Sequence, residues 1–334
     1  MTAAMAPESW LQFLRQEYLE GSVIGGSARE GFIKEGGASV KFAIPLEEEF
    51  RVQIQADIVE QARSAGYIVA CVSSAETRVH MMDQIFFRIA EQIPWQDLSR
   101  AVIRKLAKEA GYALPPSTSG SIVSDLAAAN NIGPEMLTME ARTWIENRVF
   151  RAQFLTRDFR VAVTRLCLAE LSGGPDGETM TEVITDWLAG RNRNVSAVRP
   201  YQIYSRISRN NARYLLESLL HWIRFGGYPG LVILLDTSRV TIAKNPRDDH
   251  LYYTKAAMLD TYEVLRQFID GTDRMKGCLL VVTPTADFLV TETGSRGMGD
   301  YNALKLRVYD EVRDTRLANP MGAMVRLSRN GSAI

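Results

Sequence analysis

The stretch VKFAIPLEEEF, Val40–Phe50, joins a short apolar run to three consecutive glutamates and decides how the rest of the chain is interpreted. Its first half is mostly apolar, which predicts a buried strand. Phe50, Ile54 and Ile58 then recur every four residues, which predicts a helix that ends near Gly66. The stretch is therefore a strand-to-helix junction, and in many α/β proteins such a junction holds a loop that binds phosphate.

The same alternation of strand and helix continues beyond this junction. GYIVACVSS predicts a second strand and MMDQIFFRIAEQI a second helix, while GLVILLD (Gly230–Asp236) and GCLLVVT (Gly277–Thr283) predict two more strands with a helix between them. Short, fully apolar strands that alternate with helices are typical of a parallel sheet covered on both faces. The predicted fold class is therefore α/β with a parallel sheet.

A long middle section interrupts this pattern. From Gln96 to about Pro200 the sequence shows helical periods and no strand signal, which predicts a helical insertion. The predicted organisation has four parts: an N-terminal helical arm at 1–36, the first part of the α/β core at 37–98, the helical insertion at 99–200, and the second part of the core with a C-terminal helix at 201–334.

Composition narrows the function classes. Thirty-nine basic residues balance thirty-nine acidic ones, so any affinity for nucleic acid has to come from a local patch. Cys71, Cys167 and Cys278 lie among apolar neighbours and are expected to be reduced thiols, which favours a cytoplasmic location. The apolar runs are too short to span a bilayer, and the scattered histidines and cysteines predict no metal site.

Several segments resemble a known family. NARYLLESLLHWIRFGGYPGLVILLD, YEVLRQFID, VVTPTADFL and RGMGDYNALKLRV are similar to the ATP-binding protein family of BREX (bacteriophage exclusion) systems, within the AAA-like P-loop ATPases. The similarity is strongest from Arg209 to Arg307 and weaker from Gly37 to Trp95. The resemblance implies a sheet of the P-loop NTPase (AAA-like) type, here with a large helical insertion, and a role in phage defence.

The phosphate-binding motif expected from this resemblance is missing. The family pattern has a glycine-rich loop ending in Gly-Lys-Thr or Gly-Lys-Ser, whose amides, lysine and hydroxyl bind the phosphates and magnesium. This chain has Pro45-Leu46-Glu47-Glu48-Glu49 instead, without glycine, lysine or hydroxyl. We expect the three carboxylates to cap the helix N-terminus and to repel a triphosphate. The glycines of EGGASVK precede the strand and would lie at the wrong end of the sheet.

A second catalytic element is also altered. The resemblance places Asp236 at the magnesium-positioning aspartate and Thr283 at the polar sensor position, but Thr237 stands where the glutamate that polarises water is expected. A threonine hydroxyl is not a general base at neutral pH. Two losses favour a pseudo-ATPase with no catalytic residue and no cofactor. The alternative is a divergent ATPase that binds ATP and Mg²⁺ at Asp236, Thr237 and Thr283, and a third reading takes Asp236 as an ordinary strand end.

One local patch stands out against the neutral total charge. Positions 187–216 contain no acidic residue and carry six arginines among tyrosines: Arg191, Arg193, Arg199, Arg206, Arg209 and Arg213. Arginine with aromatic residues is typical of surfaces that bind nucleic acid or an acidic protein face. The alternative is that these arginines bond helix ends and loop carbonyls.

Together these features predict a scaffold or regulatory subunit of a bacterial anti-phage complex. The resemblance implies other defence proteins as partners, such as a helicase or an active ATPase. The arginine-rich stretch adds DNA as a candidate partner. The sequence leaves open whether the protein forms homo-oligomers or hetero-oligomers, because interface geometry is not visible in it.

Overall fold

The computed structural model describes residues 3–21, 31–115, 120–192, 194–310 and 316–329. The strands are β1 (Ala38–Pro45), β2 (Ile68–Ser73), β3 (Leu231–Asp236), β4 (Cys278–Thr283) and β5 (Met324–Leu327). The helices are α1 (Pro7–Phe13), α2 (Arg51–Ser64), α3 (Met82–Ala90), α4 (Trp95–Glu109), α5 (Ile122–Asn130), α6 (Pro134–Ile145), α7 (Arg157–Ser172), α8 (Gly174–Leu188), α9 (Ala212–Phe225), α10 (Lys255–Asp270) and α11 (Asn302–Val308).

The five strands form one parallel sheet in the order β2-β3-β4-β1-β5. From β1 the chain crosses to β2 at one edge of the sheet, and after β4 it crosses to β5 on the other side of β1. The connections therefore change direction around β1, and ligands of open α/β sheets bind at the carboxyl ends of strands at such a point. The predicted parallel α/β sheet is confirmed.

The fifth strand, β5, follows the predicted C-terminal helix and is not among the four predicted strands. β5 pairs with β1 from Phe42 opposite Met324 to Pro45 opposite Leu327. The strand is only four residues long and Arg326 interrupts its apolar pattern, so periodicity gives no signal for it. Its outer edge is covered by the N-terminal segment, where Met5 N donates to Arg326 O at 2.9 Å.

Each face of the sheet carries its own core. On one face, Trp10 of α1 and Ile54 and Ile58 of α2 pack with strand residues such as Val232. The predicted N-terminal helical arm contains α1 followed by a π-helical turn at Leu14–Leu19. On the other face, the ring of Phe42 stacks on Phe288 with centroids 5.5 Å apart. The two cores fix the positions of the strand ends.

The chain divides into two compact units. The sheet unit comprises Met1–Ile89 and Pro229–Ile334, and the helical unit comprises Ala90–Tyr228. The helical unit contains the predicted insertion at 99–200 and extends past it at both ends. It includes α9, although α9 falls within the predicted second part of the core at 201–334. Periodicity identifies α9 as a helix but does not show which core its apolar face joins.

Cys71, Cys167 and Cys278 are reduced thiols in the structure. Cys167 and Cys278 are fully buried. Burial raises the pKa of Cys167 to about 12 and that of Cys278 to about 12, so both thiols stay protonated at neutral pH.

Candidate functional site

The candidate site lies at the carboxyl edge of the sheet, where β1, β3 and β4 end. Asp236 and Thr283 occupy paired positions at the ends of β3 and β4. Thr237 follows Asp236, is almost fully buried, and donates its backbone N–H to Thr283 O at 3.2 Å. The structure therefore brings the three predicted positions together.

The segment after β1 does not form a phosphate-binding loop. Leu46 and Glu47 lead into a short 3₁₀ turn at Glu48–Phe50, and α2 begins at Arg51. Neither the turn nor α2 has a side-chain hydrogen bond at its N-cap. The expectation that the three glutamates cap the helix is therefore wrong, because the carboxylate of Glu48 has a different partner.

That partner is Arg51, whose guanidinium joins the turn to the end of β3. Its Nε donates to Glu48 Oε1 at 2.6 Å, and its Nη1 donates to Asp236 Oδ2 at 2.8 Å. The Arg51 and Asp236 side chains are only 18% and 17% exposed. Charge-assisted bonds of this length between partly buried groups are among the stronger polar contacts in proteins.

Electrostatics at Arg51 favour its charged form. Desolvation by itself lowers the pKa of Arg51, but the hydrogen bonds and charges of Glu48 and Asp236 outweigh it and leave the pKa raised. The guanidinium is therefore a permanent cation between two carboxylates. It stands beside the carboxylate that the resemblance assigns to magnesium.

The remaining polar groups of this edge are also engaged. Gln55, one turn after Arg51 on α2, donates its side-chain amide to Thr283 Oγ1 at 2.7 Å. The second oxygen of Asp236, Oδ1, accepts from the backbone N–H of Ser238 at 2.9 Å. Side chains of α2 thus hold both the aspartate of β3 and the threonine of β4.

The next residues after β3 form a second ion pair. Arg239 binds the two carboxylate oxygens of Asp248 at 2.8 and 2.7 Å, and its backbone N–H donates to Ser74 Oγ at 3.1 Å. The hydrogen bonds from Arg239 lower the pKa of Asp248. The ion pair joins two positions of the connection after β3, and the backbone bond to Ser74 ties that connection to the end of β2.

The segment RGMGDY, which carries part of the resemblance, has a packing role. Arg296 is buried and donates to Val240 O at 3.0 Å and to Tyr253 O at 2.7 Å. A Cβ atom at Gly297 or at Gly299 would overlap backbone oxygens of the preceding loop. These contacts hold the connection after β4 in place and do not involve Asp236, Thr237 or Thr283.

The arginine-rich stretch lies in the helical unit, apart from Arg193, which is outside the described residues. Arg191 pairs with Asp186 at 2.7 Å, and Arg213 pairs with Glu217 at 3.4 Å. The remaining three arginines, Arg199, Arg206 and Arg209, are exposed. The two engaged arginines therefore pair with carboxylates and not with helix ends or loop carbonyls, and three arginines remain exposed.

Sequence reasoning missed Arg51 and Gln55, and it assigned Glu48 to helix capping instead of to its ion pair with Arg51. The spacing of Glu48 and Arg51 is that of a common helical ion pair, so this contact has a sequence signal. The contact of Arg51 with Asp236 spans 185 positions in the chain and has none.

Among the described residues, no cluster of His, Cys, Asp and Glu side chains has the arrangement of a metal site, and no helix is long and apolar enough to cross a membrane. In comparisons with known proteins, the model of the family BrxC_BrxD, described as BREX system ATP-binding protein BrxC/D, matches residues 54–330. The matched span begins within α2, after Arg51. No curated protein and no solved structure matches the chain.

Proposed function

We propose that this chain, which belongs to the BREX system ATP-binding protein family, is a non-catalytic subunit of its phage-defence system. Family membership indicates a role in phage defence alongside other proteins of the system. The proposal concerns the finer point, that the chain keeps the P-loop NTPase-like architecture as a scaffold and does not hydrolyse ATP. The observation that carries it is the contact of Arg51 with Asp236.

The residues at the sheet edge fit a magnesium nucleotide poorly. Pro45 has no amide hydrogen, and Glu47, Glu48 and Glu49 place negative charge where a triphosphate would approach. The positive charge of Arg51 takes the place of a cation beside Asp236, because it already binds one oxygen of that carboxylate. The hydroxyl of Thr283 accepts from Gln55 and so is engaged as well.

The same contacts give the junction a structural purpose. In an ATPase, backbone amides of the loop after β1 bind the phosphates. Here the turn at Glu48–Phe50 is fixed by side chains of the protein itself, since Arg51 bonds the turn and β3 together. A junction held in this way keeps one conformation without a ligand, which suits a scaffold.

A divergent ATPase is the competing function, and the paired positions of Asp236 and Thr283 are the observation in its favour. Such an enzyme would need Arg51 to release Asp236 before magnesium could bind there. The two functions therefore differ in what happens when the charges of this pair are removed while its shape is kept.

The experiment uses the complete defence system in bacteria challenged with phage. The gene is deleted and replaced by wild type, by the Arg51→Gln and Asp236→Asn double variant, or by Arg63→Gln as a control on the exposed end of α2. A scaffold predicts protection by all three, with co-purification of the other system proteins unchanged. Loss of protection in the double variant, with normal protein level and normal co-purification, would exclude a purely structural role.

A further inference from the structure

One short segment of the helical unit is held firmly at the surface. Ser205 donates its backbone N–H to Asp158 Oδ2 at 3.2 Å and accepts from Trp187 Nε1 at 3.1 Å. Three residues further, Ser208 N donates to Asn211 Oδ1 at 2.8 Å, and Asn211 Nδ2 donates to the carbonyl of Arg206 at 3.0 Å. The backbone is thus anchored on both sides of residue 206.

Apolar side chains anchor the same segment from below. Ile203 and Ile207 are 0% and 9% exposed. The residues between and after them face outward, so Tyr204, Arg206 and Arg209 are presented on the surface. The fixed backbone lowers the conformational entropy that these side chains lose when they bind a partner.

The outward-facing residues combine free aromatic rings with unpaired positive charge. Tyr204 is 56% exposed and Tyr214, on the first turn of α9, is 50% exposed. In the part of the chain that the structure describes, neither ring packs on another aromatic ring. About half of the surface of each tyrosine is therefore accessible to a ligand.

The arginines of this stretch divide by their partners. Arg191 and Arg213 are neutralised by the acidic residues described above. Arg199, Arg206 and Arg209 form no ion pair within the described ranges, and Asp158 accepts from the backbone of Ser205. The stretch keeps an excess of positive charge beside two exposed rings.

We propose that Arg199, Tyr204, Arg206, Arg209 and Tyr214 form a binding surface for single-stranded nucleic acid. Arginines bind the phosphates, and the tyrosine rings stack on unpaired bases, whose faces are hidden in a duplex. An acidic protein face uses the same charges and also packs on tyrosine, so the test below distinguishes the two partners. This surface belongs to the helical unit, so the inference does not depend on whether a nucleotide enters the edge of the sheet.

Phosphate binding by the arginines is tested by fluorescence anisotropy with labelled oligonucleotides of about 20 thymidines or 20 uridines over a salt series. Three phosphate contacts predict a log–log salt slope near −2, or roughly 20-fold weaker binding between 50 and 200 mM salt. Replacing Arg199, Arg206 and Arg209 by Gln should remove most of this slope. The matched control replaces three other exposed basic residues, Lys108, Lys244 and Arg247, by Gln and should leave it unchanged.

Variants of the two tyrosines distinguish single-stranded nucleic acid from other partners. Tyr204→Ala and Tyr214→Ala should each weaken binding roughly 5- to 150-fold, while Tyr→Phe at either position keeps the ring and the affinity. The inference is overturned if neither oligonucleotide binds at 50 mM salt, or if the arginine variant binds like the control. It is also overturned if a duplex binds equally well and the Ala variants have no effect, or if polyglutamate displaces the oligonucleotide at equal charge concentration.

Discussion

Breaking the contact of Arg51 with Asp236 should destabilise the sheet unit measurably. Exposed ion pairs contribute about 0–1 kcal/mol, and removal of one partner from a fully buried pair costs about 3–5 kcal/mol. With side chains that are 18% and 17% exposed, this pair lies between the two limits. We therefore expect Arg51→Met to lower the free energy of unfolding by about 2 kcal/mol, because Asp236 and Glu48 lose their counter-ion.

A double-mutant cycle isolates the contact itself. Arg51→Met, Asp236→Asn and the double variant are compared by urea unfolding followed by circular dichroism, with Arg63→Met as the control on the same helix. We expect a coupling energy of about 1–2 kcal/mol between the two positions and less than about 0.5 kcal/mol for the control. A coupling energy near zero, with Arg51→Met as stable as wild type, would show that Arg51 does not hold the turn and β3 together.

Three further predictions concern other contacts of the sheet unit. Gln55→Ala should cost about 1 kcal/mol by urea unfolding because it removes the bond to β4, while Gln53→Ala on the exposed face of α2 should cost almost nothing. Gly299→Ala should lower stability by about 1–3 kcal/mol since the added Cβ overlaps a backbone oxygen, whereas Gly120→Ala meets open space and should be neutral within about 0.5 kcal/mol. Burial lowers the pKa of Lys41 from 10.5 to about 8, so the unfolded chain binds the additional proton between these values, and stability should rise from pH 8 to 10.5 in wild type but not in Lys41→Met.

Each of these results has a plain contrary outcome. A loss for Gln53→Ala equal to that for Gln55→Ala would show that the bond to Thr283 contributes nothing. Full stability of Gly299→Ala would mean that the loop before it yields to the new methyl group. A pH profile shared by wild type and Lys41→Met would show that the three carbonyl oxygens around the amine, those of Pro320, Met321 and Gly322, offset its burial.

The sequence predicts the sheet because its strands leave an unambiguous pattern. Apolar runs such as LVILL form four of the five strands, and helices fill the intervals between them. β5 has no such run, and its pairing with β1 depends on contacts across the whole chain. The assignment of α9 to the helical unit likewise depends on tertiary packing that periodicity does not report.

The candidate site could be predicted only in part for the same reason. Asp236, Thr237 and Thr283 come at strand ends, and parallel strands bring their carboxyl ends to one edge. The side chains that bond to them could not be predicted, because Arg51 and Gln55 look like ordinary polar residues of a helix. The missing glycine loop shows what the junction lacks, and only the structure shows which side chains take its place.

The most direct test of the central claim is a titration of the purified protein with ATP and magnesium, followed by calorimetry and by thermal shift. If Arg51 and the glutamates close the site, calorimetry should detect no heat of binding, and the melting temperature should not change up to millimolar nucleotide. Saturable binding would contradict this, and at a hundredfold excess over Kd it would stabilise the protein by about 2.7 kcal/mol. Saturable binding that Asp236→Asn abolishes would identify the chain as a divergent nucleotide-binding subunit whose arginine moves aside.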